Sequence, residues 1–283
     1  MNQLTLSLAQ MPIVVGDPES NLAKARQMAA EAAQRGSDLL LLPELWGSGY
    51  DLSNATQHAT LQTEGLFAEM GAMAEAHGMW VGGSLLGYDR NVKGRPRNQF
   101  ALFAPNGKLA CSYAKLHLFR LMDEDQWLDP GDNPTFAKLP WGTAGIAICY
   151  DLRFPELFRD YALAGTRLIL LPAEWPHPRL MHWRTLLRAR AIENQCFIAA
   201  CNRVGEDPNG TRFFGHSAIL DPWGEPLIEG NEEEALLTAT IDLAEVTAVR
   251  KKIPIFDDIR NDLYFRGVTY TQNTTSYWEN VTV

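Results

Sequence analysis

Short apolar runs that alternate with longer helical stretches constrain the fold of this chain more than any other feature of its sequence. The runs are bounded by Gly, Pro or Asp and predict mostly buried strands over residues 4–9, 39–42, 80–86, 100–104, 145–148, 168–171, 197–200, 218–220 and 236–241. Helices are predicted over residues 21–34, 64–77, 155–164 and 180–194. No Pro/Gly/Ser-rich linker interrupts the alternation, which indicates one α/β domain over residues 1–283. From this pattern alone we expect a doubly wound parallel sheet.

The charge balance limits the classes of partner. The chain carries 25 Lys and Arg residues against 34 Asp and Glu residues, a formal net charge of −9. Nucleic acids and anionic membranes bind clustered basic side chains, and this sequence has no such cluster. The first ten residues lack the charged and apolar segments of a secretory signal, and no apolar run approaches about 18 residues. We therefore expect a cytoplasmic protein with no nucleic-acid or membrane partner.

The cysteines and histidines do not predict a disulfide framework or a metal centre. The four cysteines are sparse and form no Cys-x-x-Cys pair. His177 and His182 are five positions apart, so they do not share one face of a helix as two metal ligands would. The sequence therefore predicts free cysteines in a reducing compartment and no bound metal.

Polar side chains occur where four of the predicted strands end. Glu44 follows Leu-Leu-Leu-Leu-Pro, Lys115 lies in Tyr-Ala-Lys-Leu-His-Leu-Phe, and Cys149 follows Gly-Ile-Ala-Ile. Glu174 and Trp175 follow Leu-Ile-Leu-Leu-Pro-Ala. A strand end aims a side chain while the next loop leaves access for a substrate. A thiol, a carboxylate and an ammonium can act as nucleophile, proton acceptor and anion stabiliser, although each has an ordinary structural role when considered alone.

Taken together, the motifs resemble the nitrilase (carbon–nitrogen hydrolase) superfamily. They are Leu-Pro-Glu-Leu-Trp, Tyr-x-Lys-x-His-Leu-Phe, Ile-Cys-Tyr-Asp-Leu-Arg-Phe-Pro-Glu and Arg-Ala-Arg-Ala-Ile-Glu-Asn-Gln, in that order along most of the chain. The resemblance implies a four-layer α-β-β-α sandwich in place of the doubly wound sheet. It also implies an eight-layer dimer paired through the helices predicted at 155–164 and 180–194. The aromatic tail, residues 251–283, is expected to pack on its own domain or on the partner subunit.

The resemblance also implies a Glu–Lys–Cys catalytic constellation. Cys149 matches the nucleophile, Glu44 the general base and Lys115 the lysine of the superfamily. The expected oxyanion donors are the Lys115 ammonium and the backbone N–H of Tyr150. This chemistry requires no metal, nucleotide or organic cofactor.

A second glutamate is expected in the loop after the lysine motif, and Glu124 is the candidate. Its neighbours Asp123 and Asp125 leave that placement open. The expected role of this carboxylate is to hold the Lys115 ammonium or to orient the substrate.

The forms that these motifs take in this chain resemble those of the amidase and ω-amidase members of the superfamily. That resemblance implies a small linear amide and water as substrates. Tyr50, Glu174 and Trp175 occupy loop positions that could wall the pocket. Some ω-amidase-like relatives carry an asparagine where this chain has Glu174, and an acidic wall would disfavour a substrate carboxylate. Arg153 could bind that carboxylate, or it could form a structural ion pair beside the nucleophile.

Other functions stay open at this point. The same site could serve an N-carbamoyl amine or amino acid amidohydrolase, or a nitrilase. Some members of the superfamily are binding or regulatory modules that have lost the triad. Here Glu44, Lys115 and Cys149 are all present, which favours an enzyme.

Overall fold

The computed structural model describes residues 2–89, 94–260 and 263 of the chain. The strands are β1 (Gln3–Gln10), β2 (Leu39–Leu41), β3 (Thr60–Leu61), β4 (Trp80–Tyr88), β5 (Arg97–Phe103), β6 (Leu109–Ala114), β7 (Phe136–Leu139), β8 (Gly142–Ile146), β9 (Leu168–Ala173), β10 (Phe197–Asn202), β11 (Val204–Glu206), β12 (Arg212–Phe214), β13 (Ala218–Leu220), β14 (Pro226–Glu229) and β15 (Ala235–Asp242). The α-helices are α1 (Pro18–Gln34), α2 (Ala55–His58), α3 (Gly65–His77), α4 (Glu124–Trp127), α5 (Pro155–Leu163), α6 (Leu180–Asn194) and α7 (Ala244–Lys252). Short 3₁₀ turns occupy Leu52–Asn54, Arg120–Met122 and Cys149–Arg153.

The strands form two main sheets, each with a parallel centre and antiparallel edges. The first has the order β15-β1-β2-β4-β5-β6, with β3 paired to β4, and the second has the order β14-β13-β10-β9-β8-β7. Strands β1, β2 and β4 are parallel, as are β8, β9 and β10. The expectation of one doubly wound parallel sheet is therefore wrong. An apolar strand is buried on both faces in either architecture, so its sequence does not identify the layer that covers it.

The two sheets pack face to face between two pairs of helices. Alternate leucines of β2 point to opposite sides: Leu39 and Leu41 join the core between the sheets, and Leu40 joins the core beneath α1 and α3. On the far side of the second sheet, Phe158 of α5 and Trp183 of α6 are fully buried. The layers therefore run helix, sheet, sheet, helix, and the expected four-layer sandwich is confirmed.

The predicted helices correspond to α1, α3, α5 and α6. Helix α1 begins at Pro18, where Asp17 accepts the backbone N–H of Ser20 at 3.1 Å, and α3 ends at Gly78 with a φ of +63°. The strand predicted at 145–148 ends earlier than expected, because the chain turns after Ile146 to begin the 3₁₀ turn that carries Cys149. Most strands without a prediction have two to four residues, as in β3, β11 and β12, and the six-residue β6 was also not predicted.

Only the beginning of the aromatic tail lies among the described residues. Phe256 packs beneath the guanidinium groups of Arg159 and Arg250, and Gln195 donates to the carbonyl of Ile253 at 2.8 Å. These contacts lie within one subunit. The remaining tail positions, 261–262 and 264–283, are outside the described residues, and so are their predicted contacts.

Across the described ranges, every helix is too short or too polar to cross a membrane.

Candidate active site

Glu44 is buried just beyond the end of β2, where its carboxylate is surrounded by donors. Its Oε1 accepts hydrogen bonds from Lys115 Nζ at 2.7 Å, Asn98 Nδ2 at 2.8 Å and the Tyr50 hydroxyl at 3.1 Å. Its Oε2 accepts the backbone N–H of Glu174 at 2.8 Å. These donors come from separate segments of both sheets, so the folded chain holds this carboxylate in one orientation.

Lys115 follows β6 and is fully buried between two carboxylates. Its Nζ lies 2.7 Å from Glu44 Oε1 and 2.7 Å from Glu124 Oε1. Burial on its own would lower the pKa of Lys115, but the adjacent Glu124 and Glu44 carboxylates raise it above its ordinary value. The side chain therefore stays a cation.

Glu124 begins the short helix α4 and meets Lys115 with one oxygen. The other, Oε2, accepts the backbone N–H of Phe119 at 2.5 Å. Asp123 and Asp125 do not reach the lysine: Asp123 accepts a hydrogen bond from a surface glutamine side chain, and the Asp125 side chain is 45% exposed. Among the three adjacent acidic residues, Glu124 is the one that lies in the cluster.

The Tyr50 hydroxyl contacts the carboxylates of both Glu44 and Glu124. The hydroxyl shares its one proton between Glu44 Oε1 at 3.1 Å and Glu124 Oε1 at 3.0 Å, and it accepts from Lys115 Nζ at 3.4 Å. Burial, followed by the charges of Glu124 and Glu44, raises the pKa of this phenol well above its ordinary value, so it remains a donor. The sequence predicts that Tyr50 could wall the pocket, and in the structure its hydroxyl forms polar contacts within the cluster.

Cys149 occupies the sharp turn after β8, with a left-handed φ of +44°. A non-glycine residue adopts this conformation at an energetic cost, and turns of this kind present a nucleophile at the edge of a sheet. Burial, followed by the Glu44 carboxylate, raises the pKa of the thiol well above its ordinary value, while Lys115 acts in the opposite direction. Cys149 is therefore a thiol at rest, in contact with a carboxylate that can accept its proton.

Asp151 connects the turn that carries Cys149 to the segment that carries Lys115. Its Oδ2 accepts the Ile148 N–H at 2.9 Å and the Tyr113 hydroxyl at 2.7 Å. Its Oδ1 accepts the His117 N–H at 3.0 Å and lies 2.7 Å from His117 Nδ1. Tyr113 and His117 flank Lys115 in sequence, so one buried carboxylate sets the position of the lysine relative to the cysteine.

A small cavity opens at Cys149 and is lined by Phe119, Cys149, Tyr150, Arg153, Glu174, Trp175, Pro176 and Arg179. Glu174 and Trp175 line it as expected, but Glu174 is not an isolated negative wall. Its Oε2 accepts a hydrogen bond from the buried Arg203 at 2.8 Å, forming an ion pair. Trp175 is held by its backbone N–H, which donates to Asn202 Oδ1 at 2.7 Å.

Arg153 does not form the structural ion pair that was one of its two expected roles. Its guanidinium lies 4.8 Å from the centre of the Trp175 ring and donates to His182 Nδ1 at 3.3 Å. No carboxylate among the described residues pairs with it. Arg179 also lines this cavity, with its guanidinium 5.7 Å from the centre of the Phe119 ring, so two cationic side chains contribute to the cavity wall.

Sequence reasoning did not single out Asn98, Asp151 or Arg203. Asp151 lies within the motif Ile-Cys-Tyr-Asp-Leu-Arg, between the cysteine and Arg153, and Asn98 is one of the three polar residues, Arg-Asn-Gln, that begin β5. Arg203 follows the apolar strand β10 in Cys-Asn-Arg, a strand-end signal of the same kind as the others. Each contacts a side chain that the motifs did identify.

Within the described part of the chain, no group of three or more His, Cys, Asp or Glu side chains is arranged to hold a metal ion.

Comparison with known proteins identifies a protein family that this chain matches. A sequence model of the carbon–nitrogen hydrolase family matches residues 5–251. A 2-oxoglutaramate amidase from Bacillus subtilis (strain 168) is 42% identical over 260 residues, which cover 92% of this chain and 99% of the relative.

Two solved structures extend the similarity to the fold. A CN-hydrolase superfamily protein from Xanthomonas campestris, with an arsenic adduct in its active site, superposes with a TM-score of 0.85 at 32% identity, covering 92% of this chain and 98% of the other. A mutant amidase from Nesterenkonia sp. AN1, with acrylamide added to its active-site cysteine, gives a TM-score of 0.79 at 28% identity and covers 89% and 99%.

Proposed function

Because the chain belongs to the carbon–nitrogen hydrolase family and acts on amides, we propose that it releases ammonia from small linear amides through a thioester on Cys149. The observation that carries this proposal is the meeting of one thiol, one carboxylate and one ammonium in a buried cluster beside a cavity. That combination supplies a nucleophile, a proton acceptor and a stabiliser of negative charge.

In the first half-reaction, the Cys149 sulfur attacks the amide carbon and the thiol proton passes to Glu44. The carbonyl π electrons move to oxygen, which becomes an anion beside Lys115 and the backbone N–H of Tyr150. Collapse of this intermediate breaks the carbon–nitrogen bond, and Glu44 returns the proton to the leaving nitrogen, which departs as ammonia. Because burial keeps the thiol protonated at rest, attack and proton transfer are coupled.

In the second half-reaction, water replaces ammonia as the group that faces Glu44. The carboxylate takes a proton from water as its oxygen attacks the thioester carbon, and the carbon–sulfur bond then breaks. The proton returns to the sulfur, and the acid product leaves. One carboxylate therefore serves both steps, while Glu124, Tyr50 and Asn98 position Lys115 and Glu44 throughout.

The best-supported substrates within this class are ω-amides of dicarboxylic acids. The Bacillus subtilis relative is named for 2-oxoglutaramate, a molecule with a carboxylate at the end opposite its amide. Arg153 and Arg179 give the cavity two cations suited to a carboxylate. The negative charge of Glu174, expected to oppose such a substrate, is offset by Arg203.

The test is an ammonia-release assay over short aliphatic amides, ω-amides, N-carbamoyl amines and one nitrile, with intact-mass spectra recorded during turnover. Wild-type protein should release ammonia from the amides, fastest from the ω-amides, and accumulate an acyl adduct. Cys149→Ala should abolish both signals, whereas Cys111→Ala, which changes a half-buried cysteine outside the cluster, serves as the matched control. Substantial turnover by Cys149→Ala would remove the cysteine from the nucleophile role. Turnover of only the N-carbamoyl amines or the nitrile would change the substrate class.

The proposal extends to the oligomeric state of the protein and to its location in the cell. A homodimer paired through α5 and α6 is supported by the apolar side chains that these helices expose. A cytoplasmic location suits a mechanism that needs Cys149 reduced, and all four cysteines are free thiols.

A further inference from the structure

The Glu174 carboxylate is buried with only one of its two oxygens hydrogen-bonded. Oε2 accepts Arg203 Nη1 at 2.8 Å, while Oε1 has no hydrogen-bonding partner among the described residues. Arg203 is itself held in place by donating to the carbonyl of Ile13 at 2.6 Å and by stacking over Phe213. A buried carboxylate oxygen without a partner is costly, so such an atom beside a cavity marks a place for a ligand group.

Glu174 lies on the wall of the cavity that contains Cys149. Its backbone N–H also donates to Glu44, so the position of Glu174 is coupled to that of the proposed base. A molecule that presents its amide carbon to Cys149 must therefore place the rest of its acyl chain near this wall.

The fully buried charges at Glu174 and in the cluster beside it do not balance when every carboxyl is ionised. Lys115 and Arg203 are two buried cations, and Glu44, Glu124 and Glu174 are three buried carboxylates. The titratable and charged groups that face Glu174 or the same cavity are Arg203, Glu44, Asp207, Tyr50, Cys149, Arg153 and Arg179, with His182 in contact with Arg153. An anionic acyl chain adds a further negative charge to this set.

One proton on Glu174 removes the imbalance and converts Oε1 into a donor. Burial raises the pKa of Glu174 to about 7, with Arg203 lowering it and Glu44 and Asp207 adding to the rise. The protonated and ionised forms are therefore both accessible near neutral pH.

We propose that Glu174 is a specificity-determining residue, whose free Oε1 hydrogen-bonds an oxygen of the substrate's acyl chain and does so as a neutral carboxyl when that chain carries a carboxylate. This inference rests on the proposed function. The proton comes from solvent as the anionic substrate binds and returns to solvent when the product leaves. A neutral aliphatic amide needs no such proton.

The first experiment compares two substrates across pH. The readout is kcat/KM for succinamate divided by kcat/KM for butyramide between pH 6 and pH 8, because groups that serve both substrates cancel in this ratio. For wild-type protein the ratio should fall about tenfold as Glu174 ionises around its pKa of about 7. In Glu174→Gln, whose amide donates at every pH, the ratio should be independent of pH.

Two further variants test whether Glu174 itself causes the pH dependence. Glu69→Gln removes a surface carboxylate that pairs with Arg26 and should keep the wild-type pH profile. In Glu174→Leu, which can neither donate nor accept, the ratio should be low at every pH. A flat ratio in wild-type protein, or an unchanged pH profile in Glu174→Gln, would overturn the proposal. The second result would assign the titration to a group other than Glu174.

The second experiment measures protons without turnover. Succinamate is titrated into Cys149→Ala by calorimetry at pH 8, in two buffers that differ in ionisation enthalpy. We expect an uptake of about 0.9 proton per succinamate, the fraction of Glu174 ionised one pH unit above its pKa, and none with butyramide. The double variant Cys149→Ala/Glu174→Gln should take up none.

The outcomes separate this inference from the proposed function. If wild-type protein releases ammonia from both amides but Cys149→Ala takes up no proton when it binds succinamate, the role of Glu174 is wrong and the amidase function stands. If wild-type protein hydrolyses no amide, the proposed function itself fails.

Discussion

At the scale of single residues, the buried ammonium of Lys115 is the centre of the site. It is enclosed by Glu44 and Glu124 at 2.7 Å each, and Tyr50 and Asn98 complete the hydrogen bonding of the carboxylates. A buried ion pair of this kind stabilises a fold weakly, but removing one partner leaves uncompensated charge. The same residue therefore carries a stability requirement in addition to its proposed catalytic role.

Lys115→Met should lower both activity and stability. Loss of one oxyanion donor predicts a 10²–10³-fold lower kcat, or about 2.7–4 kcal/mol. Two carboxylates left without their cation should lower the free energy of unfolding by about 3–5 kcal/mol. Ammonia-release kinetics and urea unfolding measure the two effects. The matched variant Lys24→Met breaks a surface pair with Glu234 and should change stability by at most about 1 kcal/mol.

A Lys115→Met protein with a normal kcat and only a raised KM would contradict the oxyanion role, since that pattern is the loss of uniform binding.

At the scale of elements, the site depends on how the turn after β8 meets the segment after β6. Cys149 is held at a φ of +44°, and Asp151 binds the backbone on both sides of this junction through Ile148 and His117. Arg190 of α6 adds support by donating to the Leu152 carbonyl at 2.9 Å. Hydrogen bonds between elements, and not either element alone, set the distance from the thiol to the ammonium.

Asp151→Asn should disturb this junction. An asparagine amide nitrogen cannot accept the backbone N–H groups that the carboxylate accepts, so a loss of about 1.5–3 kcal/mol in unfolding free energy is expected. Because misplacement by about 1 Å can cost 10²-fold in rate, kcat should fall by about that factor. Thermal unfolding and steady-state kinetics on a short amide test both effects.

The matched substitution for stability is Asp160→Asn, on the exposed side of α5, which should alter unfolding by no more than about 0.5 kcal/mol. A folded Asp151→Asn variant with wild-type kcat would show that the carboxylate has no positioning role.

At the scale of the whole molecule, the described residues place no further helix or sheet over the outer face of α5 and α6. This face exposes Met181 at 73%, Ile192 at 53% and Leu163 at 40%. Large apolar side chains at one face are typical of an interface between protein chains. The face is the one through which the resemblance implies dimer pairing.

We expect a dimer at micromolar concentration, measured by sedimentation velocity. The double variant Met181→Glu/Ile192→Glu should sediment as a monomer, because each change places a charge in the apolar contact. Val14→Glu alters a side chain that is 52% exposed away from α5 and α6 and should leave the dimer intact. Wild-type protein that sediments as a monomer would reject the pairing.

The predictions made from the sequence agree with the structure to different degrees for single residues, for elements and for the whole molecule. Apolar periodicity located most of the long strands and helices, because burial repeats along the chain. It missed the two- and three-residue strands β3 and β11 and also the six-residue β6. The prediction of a doubly wound sheet was wrong for a related reason, because periodicity indicates that a strand is buried but does not identify the layer that covers it. Motif resemblance supplied the sandwich that periodicity alone did not.

The sequence by itself determined the family, the strand-end positions of Glu44, Lys115 and Cys149, and the presence of an acidic residue after the lysine motif. Only the tertiary structure decided which acidic residue reaches Lys115, that Tyr50 contributes a hydroxyl, and that Glu174 pairs with Arg203. The physical reason is that local burial and turn preferences are encoded by neighbouring residues. Charge pairing in a buried cluster instead depends on side chains far apart in the chain, here Glu44 and Lys115, which the packing of two sheets brings to 2.7 Å.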